Sequence, residues 1–110
     1  MQKKLYLEPK EEYKDKWHKG LEKYLVKKIS VWLKKEGIWH FKVHGSPMQM
    51  AGIPDIIAVV YGKAVFIEVK TATGVVSKIQ DHVMTNIARA GAVVGVARCL
   101  EEAKEITYYV

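Results

Sequence analysis

The chain has 110 residues, about half of them hydrophobic, with 18 Lys and Arg against 12 Asp and Glu and a formal charge of +6. This is enough for one domain with one core, and too apolar for a disordered chain. No apolar run reaches the roughly 20 residues of a membrane span, and the opening MQKKLYLEPKEEYKDKW is too polar for the core of a secretory signal. The only cysteine, Cys99, excludes an internal disulfide and fits a reducing, cytoplasmic compartment. No Cys/His cluster has zinc-site spacing. The charge is uneven: residues 1–37 hold 11 Lys against 6 acids, the rest 7 bases against 6 acids. A basic region of this kind suits a polyanion, most commonly nucleic acid, or is a solvated helix face that keeps a small protein soluble.

In chain order, residues 1–16 mix lysine and acidic residues with few apolar anchors. They are expected to form a loose arm, with a short helical turn after Pro9, ahead of a single domain over 17–110. From about Trp17 to Glu36, Leu21, Leu25, Ile29, Trp32 and Leu33 recur at three- and four-residue steps, one face of an amphipathic helix. Gly37 stands at its C-cap. In IWHFKVH, Trp39, Phe41 and Val43 point one way and His40, Lys42 and His44 the other, the pattern of a half-buried strand. GSPMQMAGIP reads as a loop. Strand DIIAVV, turn YGK and strand AVFIEVK follow, then the connector TATGV. A second helix begins at Ser77, carries Ile79, Val83, Ile87 and Ala90 on one face, and ends at Gly91. AVVGVA is apolar enough to be a fully buried strand. LEEAKE is a short last helix, and ITYYV a tail or an edge strand. The order αβββαβ predicts one α/β domain, a mixed sheet flanked by helices.

Two acids interrupt the apolar hairpin: Asp55 at the start of its first strand and Glu68 late in its second, with Lys70 two residues on. A two-residue Tyr61-Gly62 loop would make the numbers of cross-strand partners sum to 123, setting Asp55 opposite Glu68. Opposed residues share a face with Cβ atoms about 4.5–5.5 Å apart. Two like charges there need a raised pKa, a nearby base or a bound cation. Period-two alternation puts Lys70 on the same face. Such an oxygen-rich site suits Mg²⁺ or Mn²⁺, which would acidify a water and neutralise phosphate charge. A bare D…ExK is short and common, and a solvated hairpin face would also carry it. The preceding Gly-Ile-Pro, the register and the apolar surroundings favour the site.

Glu22 borders the apolar stripe of the first helix and is either a third metal carboxylate or a surface partner of a neighbouring lysine. Gln80, three residues after Ser77, completes a capping box and stands at the mouth of the site, where it could also contact water or phosphate. His40, Lys42 and His44, with Ser46 in the loop and Lys78 opening the second helix, are candidate nucleic-acid contacts, or a solvated surface. Trp17, Trp32 and Trp39 read as core or interface rather than base-stacking platforms, and Cys99 as an inert small hydrophobe.

Taken together, GIPD, EVK, GVVSKIQ, ARAGAVVGVA and LEE resemble the VRR-NUC family, the virus-type replication-repair branch of the PD-(D/E)XK nucleases. The likeness runs from about Leu21 to Glu102, and is to the small stand-alone forms of phages and prophages. It implies a restriction-endonuclease-like αβββαβ core that cuts phosphodiesters with Mg²⁺ or Mn²⁺ and needs no small-molecule cofactor. By position, Asp55 and Glu68 match the metal carboxylates, Val69 a main-chain carbonyl ligand, Lys70 the catalytic lysine, Glu22 the first-helix acid and Gln80 the motif glutamine. The stand-alone members resemble Holliday junction resolvases and act as homodimers. The resemblance therefore implies a branched-DNA endonuclease in a bacterial or phage-infected cell, with no membrane partner. The alternative is a non-catalytic nucleic-acid-binding module on the same fold, in which lysine–phosphate contacts carry all function.

Overall fold

The fold is built outward from the hairpin. Tyr61 and Gly62 both take positive φ, 49° and 77°. That is the sign pattern of a type I′ turn, whose twist matches the strands it joins. Glycine adopts it freely, whereas Tyr61 does so against the repulsion of its own Cβ. The turn joins β3 (Ile56–Val60) to β4 (Lys63–Val69), paired antiparallel from Val60↔Lys63 to Ile56↔Ile67. Each pair sums to 123, the register the sequence predicts.

The computed structural model describes residues 6–7, 22–46 and 48–110. Around the hairpin, β2 (His40–Lys42) pairs antiparallel with β3, and β5 (Val93–Ala97) pairs parallel with β4. A short strand β1 (Tyr6–Leu7) pairs parallel with β5 and completes a five-stranded mixed sheet in the order β1-β5-β4-β3-β2. Among the described residues three helices flank it: α1 (Glu22–Lys35), α2 (Lys78–Arg89) and α3 (Leu100–Thr107).

Alternation divides the sheet into two faces. Ile56, Ala58 and Val60 of β3, Val65, Ile67 and Val69 of β4, and Val93 and Ala97 of β5 pack with Leu25, Val26, Ile29 and Leu33 of α1 and Ala103 and Ile106 of α3. The other face is smaller. There Met84 of α2 packs with Tyr6, Val94 and Val96, with Phe66, Val76, Ile87 and Ala88 at the margin.

The structure revises the sequence reading in four places. Tyr6 and Leu7, assigned to a loose arm, form β1, and Tyr6 is buried; two residues are too few to show a strand period. The turn after Pro9 and Trp17–Leu21 lie outside the described residues. Trp39 and Phe41, assigned to a half-buried face, are exposed and meet edge to face at 5.6 Å. They share a face with Val59 and Ile57 of β3, and α2 covers only the β4–β5–β1 part of that face. Ile79 is exposed for a related reason: Val83 and Met84 carry the buried stripe of α2. ITYYV is neither a tail nor an edge strand, because Ile106 and Thr107 continue α3 and are buried. Leu100, Ala103 and Ile106 share a helical face that outweighs the β-branched composition.

Candidate active site

Asp55 immediately precedes β3, on the side where α2 packs. The loop before it is pressed against α2 at Gly52, where φ is +84° and a Cβ would lie 3.1 Å from the Ile79 carbonyl oxygen and 3.1 Å from Val83 Cγ2. Only glycine fits both the backbone and the gap. The Asp55 carbonyl then accepts from Val43 N at 2.8 Å, and its Oδ2 accepts from Val69 N at 2.7 Å. The carboxylate is thus pinned to the end of β4, beside Glu68.

Glu68 follows Ile67, the last β4 residue paired with β3, so the register extended by one step faces it with Asp55, and it pairs in register with Val96 of β5. It is 1% exposed. Burial raises its carboxyl from 4.5 to about 8, helped by the charge of Asp55, a shared hydrogen bond with it and the charge of Glu22, and opposed by Lys70. Lys70 Nζ lies 3.6 Å from Glu68 Oε2, an ion pair that is largely buried.

Gln80 fills the capping role the sequence suggests, and its amide also reaches the site. Its Oε1 accepts from Ser77 N at 3.0 Å while its own N donates to Ser77 Oγ at 3.2 Å, a complete capping box. Its Nε2 donates to Glu68 Oε2 at 3.3 Å. The cap therefore aims the amide at the buried carboxylate.

Glu22, at the start of α1, closes the group: carboxylate oxygens of Glu22, Asp55 and Glu68 all lie within 4.8 Å of one another. The donor set fits a hard divalent cation. It is all oxygen, with neither thiol nor imidazole, and includes a buried carboxylate that the polypeptide alone holds at a raised pKa. A cation would supply the charge this cluster lacks.

The remaining candidates divide. His40 and Lys42 pair with Ala58 and Ile56, so they lie on the α1 face of the sheet, opposite the acids. His40 also commits Nδ1 to the Ile38 carbonyl oxygen at 2.9 Å. His44 and Ser46 are exposed in the loop leading towards Asp55, and Lys78 is exposed at the first position of α2. Val69 reaches the group through its amide. Cys99 is fully buried, and burial pushes its thiol up to about 11, as expected of an inert hydrophobe. What the sequence reading missed is the exposed Trp39–Phe41 pair on the acid-bearing face. No signal in the sequence marks it, because the alternation of Trp39, Phe41 and Val43 is that of a buried face.

No family model matches the sequence, and no curated protein matches it. In three dimensions the chain is similar to a solved structure described as a VRR_NUC domain, with a TM-score of 0.68 and 23% identity, covering 81% of this chain and 97% of that one. The chain therefore shares the fold of that VRR_NUC domain, the fold its motifs predict.

Proposed function

We propose that this protein is a metal-dependent endonuclease that hydrolyses DNA phosphodiester bonds, with branched DNA such as Holliday junctions as substrate and a homodimer as the active form. The observation that carries this reading is the convergence of Glu22, Asp55 and Glu68 with Lys70 beside them, on a VRR-NUC fold. A binding module has no need of three clustered carboxylates facing a polyanion.

The side chains of Glu22, Asp55 and Glu68, with the Val69 carbonyl, would hold Mg²⁺ or Mn²⁺. Bound there, the ion neutralises phosphate charge and acidifies water. The chain's own residues do the rest. The Val69 amide fixes Asp55, and Gln80 and Lys70 both hold Glu68 Oε2. Lys70 is a compact cation placed to stabilise charge that develops on the phosphate oxygens. His44, Ser46 and Lys78 contact flanking phosphates, whereas His40 and Lys42 reach only a strand that passes around the β2 edge of the sheet. No helix among the described residues is long and apolar enough to cross a membrane.

The test is cleavage of labelled four-way junction, flap and linear duplex with Mg²⁺, Mn²⁺ or EDTA, beside Asp55→Asn. Metal-dependent cutting that Asp55→Asn abolishes is expected, with the junction cut fastest. No cleavage of any substrate would remove the enzyme reading in favour of a binding module. Equal cutting of all three would remove the preference for branched DNA. A monomer mass by light scattering at micromolar concentration would remove the dimer.

A further inference from the structure

Lys70 stands just past the end of β4, where the ladder no longer restrains its side chain. Its amide is anchored, donating to the Ala97 carbonyl oxygen at 3.1 Å. Its aliphatic stem passes close to Gly74. A Cβ added at Gly74 would lie 3.4 Å from Lys70 Cδ and 3.2 Å from Thr71 Oγ1. The Gly74 backbone is therefore a wall beside the lysine stem.

That wall has little of its own to hold it. Thr71-Ala72-Thr73-Gly74 contains no large apolar side chain, and closes on itself through a Gly74 N to Thr71 O bond of 3.2 Å. What gathers it is one guanidinium. Arg98 Nη1 donates to the Thr71 carbonyl oxygen, to Gly74 O at 2.8 Å and to Ala72 O at 3.3 Å. Arg98 is itself fixed, because its amide donates to Glu102 Oε1 at 2.8 Å and Glu102 is 3% exposed. All three contacts come from Nη1, whose two hydrogens serve three carbonyl oxygens, and the rigid guanidinium plane fixes where that nitrogen sits, which a lysine ammonium on a flexible stem does less well.

We infer that Arg98 is the positioning residue for Lys70: it holds the 71–74 segment against the lysine stem, and so keeps the ammonium beside Glu68. Arg98 has no contact with the three carboxylates and no part in holding a cation. Its loss leaves the acids in place and lets Lys70 wander, and misplacement by about 1 Å lowers a rate up to about 100-fold.

This inference rests on the nuclease reading for its catalytic consequence, so the test has two independent readouts. The first is junction cleavage by Arg98→Ala and Arg98→Lys, with Mn²⁺ affinity measured by calorimetry. The expected result is a fall in kcat of about ten- to a hundredfold, with KM and Mn²⁺ affinity unchanged. Added guanidinium should partly restore Arg98→Ala, and Arg98→Lys should fall short of the wild type. The second readout is the NMR signal of the Lys70 side chain at Cε and Nζ, assigned with Lys70→Arg. In Arg98→Ala it should move towards the position and linewidth of a free lysine. Should Arg98→Ala fail to fold, Gly74→Ala disturbs the same wall from the other side and should shift the same signal. A Lys70 signal unchanged in the folded variants would overturn the inference, as would an unchanged kcat. If the wild type cuts nothing yet the Lys70 signal moves, the nuclease reading fails and the positioning role stands.

Discussion

The two faces of β4 differ by one residue step and by everything else. Val65, Ile67 and Val69 point between α1 and α3, are fully buried, and join the larger apolar core. Phe66, Glu68 and Lys70 point to the α2 side, where the face changes along the strand from an aromatic ring to a buried carboxylate and an ammonium. The first face stabilises the fold by removing apolar area from water. The second spends burial on an ionisable carboxyl, whose charged form opposes folding until something compensates it. A slip of one residue would exchange the two faces, so the register set at Tyr61-Gly62 keeps core and chemistry apart.

If the division holds, substitutions on the two faces separate stability from activity. Lys70→Ala should lower cleavage by about 10²–10³-fold or more, the scale of losing one electrostatic stabiliser, while Mn²⁺ binding by calorimetry is retained. Ile67→Ala, three positions before Lys70, should cost about 2–5 kcal/mol in urea unfolding, with cleavage per folded molecule retained. Loss of activity without loss of stability in Ile67→Ala would break the comparison.

Glu68 gives the comparison a pH axis. Its folded pKa of about 8 lies above the ordinary 4.5, so between these values the native chain holds a proton that the unfolded chain has released. The stability this provides is present in full below about pH 4.5 and is lost as pH rises through about 8. The slope reaches about 1.4 kcal/mol per pH unit. A divalent cation binds the ionised form, so the rise in Tm on adding Mn²⁺ should grow with pH across the same window. Glu68→Gln should flatten the slope and abolish the metal effect. A metal-free protein whose stability is flat with pH would mean that Glu68 is already ionised, and that this face is as well solvated as an ordinary surface.

Much of this is legible in the sequence, and for local reasons. The register follows from one turn and a period of two, and the capping box from a spacing of three. Asp55, Glu68 and Lys70 stand out because charge is rare in an apolar strand. What was not legible depends on which surface covers which. Trp39 and Phe41 have the alternation of a buried face, but α2 ends before reaching them. Tyr6 and Leu7 become a strand only because β5 offers a free edge. Arg98 looks like a surface residue after a buried strand, and its three carbonyl partners lie 24–27 residues away in the chain.

The smallest effect is expected where the α2 cap meets the acid-bearing face, at Ser77. Ser77→Ala removes the hydroxyl that accepts from Gln80 N. It leaves the alanine amide free to donate to Gln80 Oε1 as Ser77 N does, at 3.0 Å. The cap weakens by about 1 kcal/mol, yet the Gln80 side chain keeps its hold on the helix start and its bond to Glu68. Thermal unfolding should register the loss, and the cleavage rate and Mn²⁺ affinity should not. Gln80→Ala is the contrasting change, because it removes the 3.3 Å bond to Glu68 Oε2 together with half the capping box. Metal affinity should then shift as well as stability. If Ser77→Ala lowers the cleavage rate as much as Gln80→Ala does, the capping hydroxyl sets the geometry of Glu68 as strongly as the amide that touches it. The α2 face would then divide less cleanly into structural and chemical residues than β4 does.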